Sequence, residues 1–277
     1  MSGHASFGEL CLIRPPYLAP EPIEPAWWPR ELPLPGHALV WKPSSGSRPD
    51  TLERMLARPP GLPLFLVLPP PGRVGDVVFV LARLHDLAPR AVLPDGPLAG
   101  MESFRALLAT HARPLAIEIT EYLLRRGLLP PSTLAAVKQV LELAGSTRSI
   151  TALCRRMYLS RRTLGRHFEL EGIPVPSHWL QMGRLLHVAA RLQREHATAF
   201  RAAVGVGYPD GFTMSNQMKR LLGLRPTEVR DCLGWEWIVE SWVKEEGIRG
   251  GFSRERFADA LAPYLESDCE ECAQVMA

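Results

Sequence analysis

The spacing of the apolar residues divides the chain into two regions. Between residues 37 and 128, short apolar runs alternate with segments whose apolar residues recur every three or four positions. After residue 131, only the helical spacing is found. Short apolar runs are typical of buried strands and the helical spacing of amphipathic helices. The order therefore predicts an α/β region followed by an all-α region.

The first region predicts a small parallel sheet with helices on its faces, because strands that alternate with helices pair in this way. RPLAIEIT is either a fourth strand or the beginning of a helix that continues through EYLLRRGLL. The clear strands are HALVWKP, LPLFLVLPP and PRAVLPD, and the helices are PDTLERMLAR, VGDVVFVLARLHDL and GMESFRALLATHA.

In the second region, Gly, Pro and capping residues separate seven predicted helices. They are STLAAVKQVLELAG, SITALCRRMY, SRRTLGRHFELEG, VPSHWLQMGRLLHVAARLQREH, TAFRAAVG, DGFTMSNQMKRLLG and PTEVRDCLG. Two more helices, GWEWIVESWVKEEG and SRERFADALAPYLES, follow them. In the first of these, Trp235, Ile238, Val239 and Trp242 are expected to pack as one apolar face.

Composition and charge narrow the possible functions. The chain has 277 residues and a net charge of +3. Residues 145–231 hold 14 Arg and Lys against 6 Asp and Glu, a charge of +8, whereas the preceding residues carry +1 and the following ones −6. A basic segment between a neutral head and an acidic tail indicates a polyanionic partner.

The basic segment contains two similar helix pairs. In the first pair, Ser160 is a good N-cap, and the next helix places Leu164 and Phe168 on one face and Arg162 and Arg166 on another. A second pair of the same length follows, and the long helix from about Trp179 to Glu195 lies between them. The pattern predicts two helix-turn-helix units on a rigid connector, which suits successive major-groove segments on one face of DNA.

These residues resemble the arabinose-regulator (AraC/XylS) family of transcription factors over about residues 132–230. The first unit and the connector match it at Ser160, Leu164, Phe168, Gly172, Trp179, Arg184, Ala189, Ala190 and Leu192. The second unit matches it at Gly207, Tyr208, Asp210, Ser215, Lys219, Gly223, Pro226 and Arg230. The first unit departs from the family pattern at Cys154 and Tyr158, and the second unit at Asn216. The core of the second unit is expected to be softer, because smaller or more flexible residues stand at Ala199, Ala202, Met214 and Met218.

The resemblance implies a sequence-specific transcription regulator that binds double-stranded DNA. It implies base contacts by Arg162 and Arg166, whereas Arg161 and His167 either contact phosphates or are solvated. In the second unit it implies contacts by Thr213, Ser215, Asn216, Lys219 and Arg220, with Asp210 as a helix N-cap. Asn216 stands where the family often has a base-reading Arg, and Asn can pair with adenine. RNA polymerase and a second copy of the chain, bound through the N-terminal domain, are further candidate partners.

The predicted organisation therefore has four parts. They are a Pro-rich arm (1–36), a regulatory α/β domain (37–128), an AraC-type DNA-binding domain (131–231) and a helical acidic extension (232–277). The alternative function is a protein-interaction adaptor that keeps the helical fold but has lost DNA binding. A third interpretation, which the sequence supports least, is a small-molecule or redox sensor module in the N-terminal part.

Other motifs are expected to be structural. VLPDGPLAGMESFRALL faintly resembles the third strand and following helix of a receiver domain, with Asp95 at the phosphoacceptor position. The acidic pair that binds Mg²⁺ in receivers is missing, so the domain is interpreted as a degenerate receiver-like or a generic α/β module, and phosphorylation is not expected. Cys269 and Cys272 form a lone CxxC, for which free thiols are expected. The sequence has no motif that indicates catalysis, a metal or a cofactor, and no signal peptide, so a cytoplasmic non-enzyme is expected.

Overall fold

The computed structural model describes residues 9–24, 32–44, 49–195 and 197–265. The chain forms two units: residues 1–110 with 231–237, and residues 111–230 with 238–277. The division after residue 110 precedes the predicted boundary near 128–131. Of the predicted acidic extension, residues 232–237 belong to the first unit and residues 238–265 to the second.

The first unit contains a five-stranded mixed sheet with the strand order β2-β1-β3-β4-β5. The three predicted strands pair in parallel as β3, β4 and β5. β1 pairs antiparallel with both β2 and β3, so the expectation of a purely parallel sheet is wrong. The strands are β1 (Leu10–Ile13), β2 (Glu21–Pro22), β3 (Ala38–Trp41), β4 (Leu64–Leu68) and β5 (Ala91–Pro94).

Both faces of the sheet are covered, because side chains alternate along each strand. On one face, Trp41 and Leu66 pack with residues of α1, α2 and α3. On the other face, Val40 and Phe65 pack with Phe104 of α4. These helices are α1 (Pro49–Leu56), α2 (Val78–Leu81), α3 (Leu84–Leu87) and α4 (Met101–Ala109).

Two segments of this unit differ from their sequence-based expectations. Residues 1–36 were expected to be an arm, but Leu10–Ile13 is a buried strand of the sheet, because four consecutive apolar residues fill positions on both faces. The single helix expected for VGDVVFVLARLHDL is instead a 3-10 turn (Pro71–Val77) followed by the short helices α2 and α3. Gly72 and Gly75 lie in that turn, and glycine disfavours a continuous helix.

Residues after the basic segment complete the first unit. The Tyr17 hydroxyl accepts a hydrogen bond from the Leu233 amide and donates one to the Gly36 carbonyl, each at 2.7 Å. Arg90 Nη1 lies 2.7 Å from Glu236 Oε1, and both side chains are almost fully buried. The segment that follows the predicted DNA-binding domain is therefore part of the core of the α/β unit.

Asp95 follows β5, and its carboxylate lies 2.7 Å from the Lys42 ammonium, which follows β3. Within the described ranges, no cluster of three or more His, Cys, Asp or Glu side chains is placed to hold a metal ion. Cys269 and Cys272 lie outside these ranges.

The second unit is helical throughout. RPLAIEIT is the beginning of a helix and not a fourth strand, since α5 runs from Leu115 to Arg125. All nine helices predicted after Pro131 are found. The helices are α6 (Leu134–Ala144), α7 (Ile150–Arg156), α8 (Arg161–Leu170), α9 (Pro176–Glu195), α10 (Ala199–Val204), α11 (Gly211–Leu222), α12 (Pro226–Asp231), α13 (Glu236–Ile248) and α14 (Arg254–Leu265). Among the described residues, none of the helices combines the length and apolar character needed to cross a membrane.

The C-terminal helices supply much of the core of the second unit. Trp242 packs on Trp179 of α9 with 4.7 Å between the ring centroids, and both side chains are buried. Ile238 and Val239 of α13 are buried as expected. Trp235 is also buried, but it precedes α13 and belongs to the first unit, so the four residues do not form one helix face.

Glu240 of α13 is a fully buried carboxylate in the second unit. Arg126 Nε donates to it at 3.2 Å, and the hydroxyls of Tyr122 and Tyr264 donate to its two oxygens. The same guanidinium donates to the Ala260 carbonyl of α14 at 2.9 Å. This buried network joins α5, α13 and α14.

Candidate nucleic-acid interface

The helices of the basic segment form two pairs, α7–α8 and α10–α11, which begin in the same way. Ser149 caps α7 by accepting a hydrogen bond from the Ala152 amide at 3.2 Å. Thr198 caps α10 by accepting one from the Arg201 amide at 3.3 Å. Each side-chain oxygen satisfies an amide that has no partner within its helix.

The first helices of the two pairs, α7 and α10, also end in the same type of hydrogen-bonded turn. The Leu159 amide donates to the Cys154 carbonyl at 3.0 Å, and the Tyr208 amide donates to the Ala203 carbonyl at 3.1 Å. The residue before each donor is left-handed, with φ of 56° at Tyr158 and 86° at Gly207. Equivalent residues up to this point are thus 49 positions apart.

The second helix of each pair begins at an equivalent cap. Ser160 accepts a hydrogen bond from the Thr163 amide at 2.9 Å, and Asp210 accepts one from the Thr213 amide at 2.6 Å. The expectation that Asp210 is an N-cap is confirmed. The hydrogen bond from the Thr213 amide lowers the pKa of the Asp210 carboxyl. The caps of α8 and α11 are 50 positions apart, so the turn between α10 and α11 is one residue longer than the turn between α7 and α8. The extra residue is Pro209.

Each second helix buries two anchors and exposes the opposite face. Leu164 and Phe168 of α8 are buried, as are Met214 and Met218 of α11. The anchors occupy the fourth and eighth positions after each cap, so both helices have the same orientation relative to their cores.

α9 connects the two pairs and contacts α6, α7, α8 and α10. Its Trp179 indole donates to the Pro174 carbonyl at 2.9 Å, which fixes the beginning of the helix. Further along, the Arg184 guanidinium lies 4.0 Å from the ring centroid of Tyr208 in the second turn. Burial raises the pKa of Tyr208 to about 12, so the ring faces the guanidinium as a neutral phenol.

Of the nine residues that the sequence predicts to contact DNA, two are half-buried and seven are exposed. The half-buried ones are His167 and Ser215, and the Ser215 hydroxyl already donates to the Gly211 carbonyl at 2.6 Å. No hydrogen bond or ion pair occupies the guanidinium groups of Arg162 and Arg166 within the part of the chain that the structure describes. The exposed residues are Arg161, Arg162, Arg166, Thr213, Asn216, Lys219 and Arg220.

The sequence did not predict that three large side chains near the turns are exposed. Tyr158 is 95% exposed, Phe212 76% and Phe200 62%. The signal for Phe212 was present in the sequence, since it stands two positions after the Asp210 cap, where the equivalent residue after Ser160 is Arg162.

We expect Tyr158→Gly to raise the free energy of unfolding by about 1 kcal/mol, because a side chain with φ of 56° is strained and glycine is not. Gly207→Ala, at the equivalent turn, should have the opposite effect. Urea unfolding of the two variants beside the parent chain measures both changes. A lower stability of Tyr158→Gly would contradict the assignment of strain to this turn.

One of three comparisons with known proteins finds a match, and it covers the two helix pairs from residue 153 onward. No curated protein and no solved structure matches the chain. No family model matches the N-terminal unit, so the resemblance of that unit to a receiver domain is not confirmed. Residues 153–231 match the family model described as a helix-turn-helix domain, and the chain therefore contains a helix-turn-helix domain of the AraC type.

Proposed function

We propose that the chain is a sequence-specific transcription regulator in which α7–α8 and α10–α11 each place their second helix in the major groove of DNA. The proposal rests mainly on one observation. The exposed face of α8 presents Arg162 and Arg166 one helical turn apart, and both guanidinium groups are available to a ligand. Arg is the side chain that most often reads a base edge, through two hydrogen bonds to guanine.

The dimensions of the helices support this arrangement. An α-helix such as α8 is narrow enough to enter the major groove, which is about 12 Å wide. The two pairs are connected to opposite ends of α9, whose 20 residues span about 30 Å. Successive major-groove segments on one face of DNA lie about 34 Å apart. α9 therefore has the length that two neighbouring segments require.

The charge of the same residues supports binding to a polyanion. Residues 145–231 carry a net charge of +8. Attraction of phosphates by such a segment supplies the affinity that is independent of sequence, and the exposed side chains of α8 and α11 supply discrimination.

In this proposal the α/β unit receives a signal or joins two copies of the chain, and the regulator acts in the cytoplasm without catalytic activity. RNA polymerase is a further proposed partner of the regulator.

Selection of genomic DNA fragments by the full chain, followed by sequencing and by affinity measurements at several salt concentrations, tests the proposal. We expect an enriched sequence and a log–log salt slope that corresponds to several released counterions. An adaptor without DNA binding would enrich no sequence, and that outcome would disprove the proposed function.

A further inference from the structure

We infer that the two helix pairs recognise DNA of different base composition: α8 reads guanine, whereas Phe212 and Asn216 of α11 read A·T base pairs. This inference rests on the proposed function, since it requires both helices to enter the major groove. It adds Phe212 as a specificity-determining residue and gives the binding site an asymmetry that can be measured.

The two caps define which positions of α8 and α11 are equivalent. Counted from Ser160 and Asp210, the second position is Arg162 in α8 and Phe212 in α11. The sixth position is Arg166 in α8 and Asn216 in α11. All four residues are exposed, and the buried anchors stand at the fourth and eighth positions in both helices. Equivalent places on the two reading faces therefore hold different chemistry.

Each of these side chains has a preferred base. The guanidinium group of Arg donates two hydrogen bonds to the O6 and N7 acceptors of guanine. The amide of Asn donates to N7 of adenine and accepts from its N6 amino group. The Phe ring has no polar atom and makes apolar contact with the methyl group of thymine, which is the only methyl group that the four unmodified bases present in the major groove. Phe212 and Asn216 thus both favour A·T pairs.

The surroundings of Phe212 favour DNA as the molecule that covers it. Phe212 and Asn216 lie four residues apart, so they share one face of α11. Lys219 and Arg220 continue the exposed side of this helix with two positive charges. A ring on a cationic helix face is suited to a ligand that combines an anionic backbone with apolar methyl groups.

Phe200 extends the apolar surface next to α11. Its backbone lies 3.5 Å from the position that a Cβ atom on Gly211 would occupy, so the beginning of α10 lies beside the beginning of α11. Phe200 and Phe212 are both mainly exposed. Phe200 of α10 and Phe212 of α11 together provide a broader apolar contact for a run of thymines than Phe212 alone.

Selection from a random-sequence DNA library by the full chain gives the first test. We expect two enriched DNA segments about one turn of the double helix apart. One should contain guanines, and the other should be rich in A·T pairs. Arg162→Ala should erase the base preference in the first segment only, and Phe212→Ala in the second only. Enrichment of guanine in the segment that responds to Phe212→Ala would overturn the inference.

Replacing thymine by deoxyuridine tests the methyl contact itself, because only the 5-methyl group is removed. In the second segment this change should weaken binding of the parent chain by about fourfold, the effect expected for one buried methyl group. Phe212→Ala should bind the two DNAs equally, whereas Arg162→Ala should retain the full difference. Phe212 is mainly exposed, so its replacement is not expected to disturb folding.

The outcomes separate this inference from the proposed function. A preferred DNA site that is insensitive to deoxyuridine, or whose sensitivity persists in Phe212→Ala, overturns the role of Phe212 and leaves DNA recognition intact. Failure to select any sequence disproves the proposed function and the inference together. Phe212→Leu gives a final check, because a second apolar side chain should retain part of the preference for thymine over deoxyuridine.

Discussion

Arg162→Ala and Arg166→Ala are each expected to weaken binding of the full chain to its selected DNA site by about 1–3 kcal/mol. Both side chains are exposed on the reading face of α8, so neither substitution removes a buried contact or a cap. The loss should be much smaller on random DNA, since a base contact contributes only at the correct sequence. Titrations with the selected site and with random DNA at one salt concentration measure the two losses.

Two arginines serve as matched controls for these variants. Arg125→Ala removes the same charge from the exposed end of α5, outside both helix pairs, and should leave discrimination between the two DNAs unchanged. Arg161→Ala tests a phosphate contact, for which binding to all sequences should fall equally and the salt slope should decrease by about 1. Unchanged discrimination in both Arg162→Ala and Arg166→Ala would exclude these residues from base recognition.

The largest effect on stability is expected at Glu240. Glu240→Ala leaves the Arg126 guanidinium with no carboxylate partner in a largely buried position, and it removes the acceptor of two tyrosine hydroxyls. Breaking a buried ion pair from one side typically costs about 3–5 kcal/mol. Urea unfolding monitored by far-ultraviolet circular dichroism should therefore shift to clearly lower urea concentration.

Glu245 provides the control on the same helix. Its carboxylate pairs with Arg249 at 2.9 Å, but both side chains are more than one-third exposed. Glu245→Ala should change the free energy of unfolding by less than about 1 kcal/mol, as exposed pairs do. Equal losses in the two variants would mean that the buried network of Glu240 contributes no more than a surface pair.

The features that could be predicted from the sequence were those governed by local patterns. Apolar spacing and caps predicted every helix from α6 to α14, because these helices bury one face and begin at recognisable residues. The same logic predicted that Leu164 and Phe168 are anchors and that Arg162 and Arg166 are exposed. It also predicted the three parallel strands, each of which is a short apolar run between turn residues.

The features that were missed depend on contacts between distant residues. β1 was hidden in a Pro-rich segment, since nothing local indicates that Leu10–Ile13 pairs with Ala38–Trp41. The partners of Glu240 come from residues more than 20 positions away, and no sequence pattern connects them. Phe212 was overlooked because an apolar residue in an amphipathic helix is normally assigned to the core, whereas here the two methionines fill it.

The path of the chain between the two units has a consequence for the order in which the protein acquires its structure during synthesis. The α/β unit needs Leu233 and Glu236, and the helical unit needs Glu240 and Trp242. Domains often fold as they leave the ribosome, beginning with the N-terminal one. In this chain the α/β unit lacks part of its core until residue 237 has been made, and the helical unit until α14 has been made. A ribosome that stops after residue 231 would therefore release two incomplete cores, even though the whole helix-turn-helix match had been translated.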